Sequence, residues 1–135
     1  MSTPRPRSSS CVLDASALLA LLQQEPGAEI VETLLEEAVI SSVNWSEVVQ
    51  KSLDHGVELG SLREDLEALG LSIAPFSVEE AEIAAALRRG TARLGLSLAD
   101  RACLALASRL SIPVLTTDRT WAELQLDAVS VRMIR

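Results

Sequence analysis

The chain has 135 residues, of which 48% are hydrophobic and 23% are charged, as is typical of one folded domain rather than a disordered chain. No run of about 18 apolar residues is free of charge, which argues against a transmembrane helix. The net charge of −7 argues against nonspecific duplex binding through a basic surface, but it is compatible with a nucleic-acid enzyme whose own carboxylates bind metal.

The first nine residues are rich in Pro, Arg and Ser, and we expect them to form a disordered tail before a single domain at 10–135. Beyond the tail, short apolar strands alternate with helices, which predicts a parallel α/β sheet covered by helices on both faces. The predicted strands are 11–13, 39–41, 71–74, 114–115 and 129–133, and the predicted helices are 17–24, 28–37, 45–53, 59–69, 78–93, 98–110 and 121–124.

The supply of cysteine and histidine restricts the possible chemistry. Cys11 and Cys103 both lie in apolar segments, and His55 is the only histidine. A structural zinc site usually needs four Cys or His ligands, which this chain does not have. A Ser-His-Asp triad or a haem site would have to be built on the single histidine. We expect both cysteines to be buried thiols in a reducing, cytoplasmic setting.

Four acidic residues lie where predicted elements meet. Asp14 follows the first strand, Asp118 follows the strand at 114–115, Glu47 lies in the first turn after the second strand, and Asp100 lies near the start of the helix at 98–110. In open parallel sheets, functional groups collect at the carboxyl ends of the strands. The sequence therefore predicts that acids from separate segments share one edge of the sheet.

Each acid also has a purely structural interpretation. Asp14 and Asp118 are suitable helix N-caps. The segments 97–100 and 44–47 both match the capping-box pattern, and the segment 77–80 shows that this chain uses such a box away from any candidate site. For a single acid the capping interpretation is favoured, because carboxylates are common in the first turns of helices.

Taken together, the four acids favour a metal site. Asp14 and Asp118 directly follow apolar strands without a neighbouring cation, and a buried charge is costly unless it is paired or bound to metal. Clustered carboxylates repel one another and thereby favour a divalent cation. Ligands that are all oxygen suit Mg²⁺ or Mn²⁺, which activate water and hold phosphate oxygens during phosphodiester hydrolysis.

The segments that carry these acids resemble the PIN-domain family, specifically the VapC-like ribonuclease toxins of toxin–antitoxin pairs. Each segment is a weak signal alone, but the four occur in the family's order and span the chain from Cys11 onward. The segments are Val12-Leu13-Asp14-Ala15-Ser16, Asn44-Trp45-Ser46-Glu47-Val48, Ser97-Leu98-Ala99-Asp100-Arg101 and Leu115-Thr116-Thr117-Asp118-Arg119.

The resemblance implies a PIN-like three-layer fold, with a central parallel sheet between helices, and a Mg²⁺- or Mn²⁺-dependent endoribonuclease. The products would carry a 5′-phosphate and a 3′-hydroxyl. The resemblance assigns Ser16 and Thr116 to the small hydroxyl positions that support the site. It assigns catalysis and metal binding to an acidic quartet, namely Asp14, Glu47, Asp100 and Asp118. In one local departure, Arg101 follows the third acid, where many members carry a small residue.

Three other functions deserve comparison. A haloacid-dehalogenase-like phosphatase would need a second Asp where this chain has Ser16, and a later Lys, whereas Lys51 is the only lysine. A dinucleotide-binding fold would need a Gly-x-Gly-x-x-Gly segment after the first strand. The more serious alternative is a catalytically inert PIN-fold protein-binding module, which a nuclease assay would distinguish from the enzyme.

Arginines precede and follow the third acid, and they admit two interpretations. They either complement helix dipoles or form a path for RNA phosphates that leads to the carboxylates. These residues are Arg88, Arg89, Arg93 and Arg101.

The remaining expectations concern partners. The resemblance implies a cognate antitoxin that neutralises the nuclease and a homodimer. We expect no association with a membrane. On the first helix, Leu18, Leu21 and Leu22 share one apolar face, which leaves Leu19 pointing elsewhere unless the first two helices are both simply buried. The resemblance favours a contact of Leu19 with the antitoxin.

Overall fold

The protein is described here from a computed structural model that covers residues 9–126 and 128–135. Of the predicted tail at 1–9, all but Ser9 lies outside the described residues. Five parallel strands form one sheet in the order β3-β2-β1-β4-β5, which confirms the predicted α/β class. The strands are β1 (Cys11–Leu13), β2 (Ala38–Ser41), β3 (Ser72–Ala74), β4 (Val114–Thr116) and β5 (Val131–Met133).

Helices connect these strands. The described residues also form three short 3₁₀ turns, at Leu35–Glu37, Ala92–Leu94 and Arg119–Glu123. The turn at Arg119–Glu123 replaces the short helix predicted at 121–124. The α-helices are α1 (Ala15–Leu22), α2 (Ala28–Leu34), α3 (Ser42–Asp54), α4 (Leu62–Ala68), α5 (Val78–Thr91) and α6 (Leu98–Leu110).

Side chains of the central strands alternate between the two faces of the sheet, as extended backbone requires. On one face, Leu13 packs in the same buried cluster as residues of α1, α2 and α4. On the other face, Val12 packs with Cys103, Leu104 and Leu106 of α6, and α5 packs beside α6. The result is a three-layer arrangement of helices, sheet and helices.

The caps explain where several helices begin. α1 begins at Ala15 rather than at the predicted residue 17, because the Asp14 carboxylate already accepts a hydrogen bond from the Ala17 N–H. Similarly, α3 begins at Ser42 rather than at residue 45, because the Ser41 hydroxyl accepts the Val43 N–H. Residues 44–47 therefore lie inside a helix, and the capping box predicted there is wrong.

Gly70 ends α4 as the sequence predicts for a residue just after a helix. Its φ of 108° lies in the left-handed region, where glycine carries no steric penalty. A Cβ at this position would also lie only 2.5 Å from the Cα of Glu36. Both constraints favour glycine.

The expectation for Leu19 is wrong. The side chain is buried in the same cluster as Leu18, whereas Leu21 and Leu22 are only partly buried against that cluster. Because α1 packs against both α2 and α3, its buried face is wider than one apolar stripe. Leu19→Glu would therefore place a charge in the core rather than test a partner surface.

The path of α6 positions its first turn at the candidate site. The helix ends at Leu110, a few residues before β4 begins at Val114. It therefore runs back across the sheet, so that its start lies at the edge where β1, β2 and β4 end. Within residues 9–126 and 128–135, none of the helices is both long and apolar enough to cross a membrane.

Candidate metal centre

Asp14 is the most buried of the four candidate acids, with 6% of its surface exposed. It follows β1 and caps α1. Its Oδ1 accepts the Ala17 N–H at 2.8 Å and the Ser16 hydroxyl at 2.7 Å. Its Oδ2 accepts the Thr116 hydroxyl from the end of β4. Both carboxylate oxygens are thus fixed by hydrogen bonds from two neighbouring strand ends.

The hydroxyl groups of Ser16 and Thr116 join the loops after β1 and β4. The Ser16 Oγ accepts the Thr117 N–H at 3.0 Å, and the Thr116 Oγ1 accepts the Asp118 N–H at 3.0 Å. Each hydroxyl therefore accepts from the β4 loop while it donates to Asp14. This geometry gives both hydroxyls a positioning function at the sheet edge.

Burial raises the pKa of Asp14 above its ordinary value. Hydrogen bonds from Thr116, Ser16 and the Ala17 N–H oppose this effect, and the nearby charge of Asp100 raises the pKa further. In the part of the chain that the structure describes, no Lys or Arg is ion-paired with Asp14. The carboxylate is therefore held by neutral donors beside a like charge.

Glu47 and Asp100 reach the same edge from α3 and α6, and Asn44 connects the two helices. The Asn44 Nδ2 donates to the Glu47 Oε1 at 3.3 Å and to the backbone oxygen of Ala99 at 3.0 Å. Asn44 is buried, and its Oδ1 has no hydrogen-bond partner. An unpaired buried acceptor is costly, and the described residues supply no donor to this amide oxygen.

Asp100 also caps its own helix, as the sequence predicts. Its N–H donates to the Ser97 hydroxyl at 3.1 Å, and its Oδ2 accepts the Ser97 N–H at 3.0 Å. These reciprocal bonds form a complete capping box. They fix the carboxylate while its charge acts on Asp14. The capping and site interpretations of Asp100 are therefore compatible.

The buried thiol of Cys103 shows which acids lie together. Burial raises the pKa of Cys103 well above its ordinary value, and the charges of Asp14, Asp100 and Glu47 raise it further. The charges of all three residues therefore act on this one thiol beneath the sheet edge. Cys103 and Cys11 are both free and buried, as predicted. Cys103 packs in the apolar cluster that contains Val12 and Leu104.

Asp118 is placed differently from the other three acids. It is exposed, and its Oδ1 accepts both the Thr120 N–H at 3.0 Å and the Thr120 hydroxyl at 2.7 Å. It therefore caps the 3₁₀ turn after β4. Within residues 9–126 and 128–135, no group of three or more His, Cys, Asp or Glu side chains is arranged to hold a metal ion.

The donor set nevertheless fits a hard cation. The available ligands are carboxylate and amide oxygens, which suit Mg²⁺ or Mn²⁺ rather than zinc or copper. The uncompensated charge of Asp14, which lies in the field of Asp100, would be relieved by such an ion. The Asp118 carboxylate would have to rotate away from Thr120 to join them.

The structure separates the four arginines near the third acid. Arg88 and Arg101 line one cavity of about 260 Å³, between the end of α5 and the start of α6. Arg93 lines another cavity of about 560 Å³, together with residues 123–126. Arg89 is exposed and lines neither cavity.

Comparison with protein families identifies the domain. The family model of the PIN domain matches residues 11–125. The chain belongs to the PIN domain family. Among curated proteins, none matches it significantly.

Several solved structures have the same fold as this PIN domain. A toxin-antitoxin complex from Klebsiella pneumoniae contains a chain that is 24% identical, with a TM-score of 0.71, and the match covers 89% of this chain and 95% of that one. A DNA-bound VapBC from Salmonella typhimurium is 15% identical, with a TM-score of 0.68 and coverages of 94% and 99%. VapBC2 from Rickettsia felis, bound to a promoter DNA fragment, is 16% identical, with a TM-score of 0.66 and coverages of 91% and 97%.

Asn44 is the site residue that sequence reasoning interpreted wrongly. The capping-box interpretation of 44–47 gives Asn44 a local function as an N-cap, whereas its side chain bridges α3 and α6. The available signal was its spacing of four residues before Val48, because i and i+4 share one face of a helix, and Val48 is fully buried. A polar side chain on that inward face needs specific partners.

Proposed function

We propose that this PIN domain is a Mg²⁺- or Mn²⁺-dependent endoribonuclease and the toxin of a toxin–antitoxin pair. The observation that carries the proposal is the state of Asp14. A nearly buried carboxylate, held by three donors and placed beside Asp100, has no cationic partner among the described residues. A bound divalent cation would supply the missing charge, activate water and stabilise charge on the phosphate.

The proposed ligands are Asp14 and Asp100, completed by Asp118 after rotation of its side chain. Glu47 would bind metal or orient the attacking water, and Asn44 would hold Glu47 in position through its amide. Ser16 and Thr116 would keep the Asp14 carboxylate in one orientation. Water is the proposed nucleophile, because the described site offers no activated serine and its one thiol is buried.

The direct test is cleavage of single-stranded RNA by the purified chain with Mg²⁺, with Mn²⁺ and with excess chelator. We expect cleavage with metal, none with chelator, and products that carry 5′-phosphate and 3′-hydroxyl ends. Cleavage that persists in chelator would contradict metal dependence. Intact RNA under every metal condition, from a chain shown to be folded, would favour the inert protein-binding module.

The proposed protein partners are a cognate antitoxin and a second copy of the chain. Support comes from the fold that this chain shares with chains of the toxin-antitoxin and VapBC complexes. Co-expression with the product of the adjacent upstream gene should give a stable complex that inhibits RNA cleavage. Sedimentation of the chain alone should give the mass of a dimer, and a monomer mass would reject the homodimer.

A further inference from the structure

We propose that the cavity lined by Arg88 and Arg101 binds a backbone phosphate of the RNA, next to the phosphate that is cut. This inference rests on the proposed ribonuclease function. It adds a binding subsite that is separate from the acidic centre, and it assigns different functions to arginines that are neighbours in the sequence.

The first argument is the composition of the cavity. Arg88, from the end of α5, and Arg101, from the first turn of α6, both line a space of about 260 Å³. Among the residues that the structure describes, neither Arg88 nor Arg101 is ion-paired with a carboxylate. Arginine presents a planar set of donors that matches phosphate oxygens. In a chain with a net charge of −7, two unpaired guanidinium groups on one cavity favour an anion.

The second argument is the way in which Arg101 is held. Its Nη1 donates to the backbone oxygen of Ala84 at 2.8 Å, which anchors the side chain against α5. Its Nε is buried and has no hydrogen-bond partner, and an unsatisfied buried donor is costly. A phosphate in the cavity would bring acceptor oxygens to a guanidinium that has one donor without a partner.

The third argument is position. Arg101 directly follows Asp100, and consecutive residues of an α-helix point about 100° apart. The first turn of α6 therefore carries both Asp100 and a residue of the cavity lining. A strand whose phosphate is held near Asp100 would present a neighbouring phosphate to Arg101. This continuity favours RNA over an acidic peptide, which has no comparable reason to pass the carboxylates.

The anion would be held by side chains rather than by the backbone N–H groups at the start of α6. The first turn of that helix is already capped, because Ser97 and Asp100 exchange hydrogen bonds. The exposed Leu98, 54% accessible, also lines the cavity and offers an apolar surface to a ribose. The specific contribution therefore belongs to the two arginines.

Arg88→Ala and Arg89→Ala form a matched pair for the test. Both residues are exposed on the last turns of α5, and both substitutions remove one positive charge. Only Arg88 lines the cavity. The measurement is fluorescence anisotropy of a labelled single-stranded RNA, titrated with the full chain in chelator at several salt concentrations, so that metal-dependent cleavage does not occur.

We expect Arg88→Ala to weaken RNA binding about three- to fivefold, as for loss of one exposed ion pair, and to reduce the salt slope by about 0.7. Arg89→Ala should match the parent chain. Arg101→Lys, which keeps the charge but loses the planar fork, should also weaken binding. In cleavage assays with Mg²⁺, Arg88→Ala should raise KM and leave kcat unchanged.

Equal losses in Arg88→Ala and Arg89→Ala would overturn the proposal, because they would indicate a general basic surface. No loss in either variant, or no measurable RNA binding by the parent, would also overturn it. If Arg88→Ala weakened only the antitoxin complex, the cavity would belong to the protein partner. If the parent chain failed to cleave RNA while Arg88→Ala still weakened RNA binding, the nuclease function would be rejected and the phosphate subsite would be retained.

Discussion

Asp14 and Glu80 are both nearly inaccessible carboxylates, with 6% and 0% of their surfaces exposed, but their surroundings differ. Glu80 accepts a hydrogen bond from the Arg109 Nε at 2.8 Å, and the guanidinium neutralises its charge. Asp14 is held by hydroxyls and one backbone N–H, and the carboxylate of Asp100 acts on it as a like charge.

The difference separates the structural carboxylate of Glu80 from that of Asp14, the proposed metal ligand. The chain supplies the cation for Glu80, and the pair joins α5 to α6. The chain supplies only dipoles for Asp14, from two hydroxyls and one backbone N–H. Burial by itself does not distinguish the two cases, because a buried acid can be part of an ion pair or part of a metal site.

The largest expected effect tests the structural member of this comparison. Arg109→Ala leaves the Glu80 charge buried and unpaired, and we expect the free energy of unfolding to fall by about 3 kcal/mol. Urea denaturation measures this loss. Arg135→Ala is the control, because its contact with Glu25 at 3.8 Å is partly exposed and should contribute less than about 1 kcal/mol. Equal losses in the two variants would contradict the structural assignment.

The next effect tests the functional member. Asp14→Asn keeps an oxygen that can accept the Ala17 N–H, but it removes the charge that a metal ion needs. We expect the fold to persist and RNA cleavage to fall by about 10²-fold or more, a loss comparable to that of one preorganised electrostatic group. Cleavage rates and circular dichroism provide the measurement. Glu80→Gln should cleave RNA at nearly the parent rate, and a comparable loss there would remove the distinction.

A smaller effect concerns metal binding without RNA. A ligand that binds only the folded state stabilises that state by about 2.7 kcal/mol when its free concentration is one hundred times its Kd. Mg²⁺ or Mn²⁺ should therefore raise the Tm of the parent chain and of Glu80→Gln, but not that of Asp14→Asn. Melting curves with and without metal test this expectation. An equal rise in Tm for Asp14→Asn would place the ion elsewhere.

The smallest effect is on pH dependence in the presence of chelator. Burial raises the pKa of Asp14 above its ordinary value of 3.8. Between those two values the folded state binds more protons than the unfolded state, so this group makes stability fall as pH rises through the window. The stability of Asp14→Asn relative to the parent should therefore increase as pH rises above 3.8 and level off above the folded-state pKa. A difference that is independent of pH would contradict a raised pKa.

Much of the fold was predictable because it depends on local patterns. The apolar strands, the α6 range of Leu98–Leu110 and the capping box of Ser97 and Asp100 agree with the structure. Trp121, in the segment predicted as a short helix at 121–124, is buried. The starts of α1 and α3 were displaced because the caps at Asp14 and Ser41 come directly after their strands.

Parts of the candidate site were not predictable, because they depend on contacts between distant segments. Asn44 bridges Glu47 and Ala99, which lie on different helices. Asp118 follows β4 as expected, but its carboxylate binds Thr120 rather than joining the other acids. Among the arginines near Asp100, sequence spacing could not show that Arg88 shares a cavity with Arg101 and that Arg89 does not.

The sequence by itself determined the order of strands and helices, the acids at their junctions and the caps, since each depends on residues a few positions apart. The tertiary structure decided which buried charge is compensated. The partners Glu80 and Arg109 are 29 positions apart in the sequence, and Asp14 and Thr116 are 102 apart. Only the packing of α5 on α6, and of β1 beside β4, gives one carboxylate a cation and the other a ring of neutral donors.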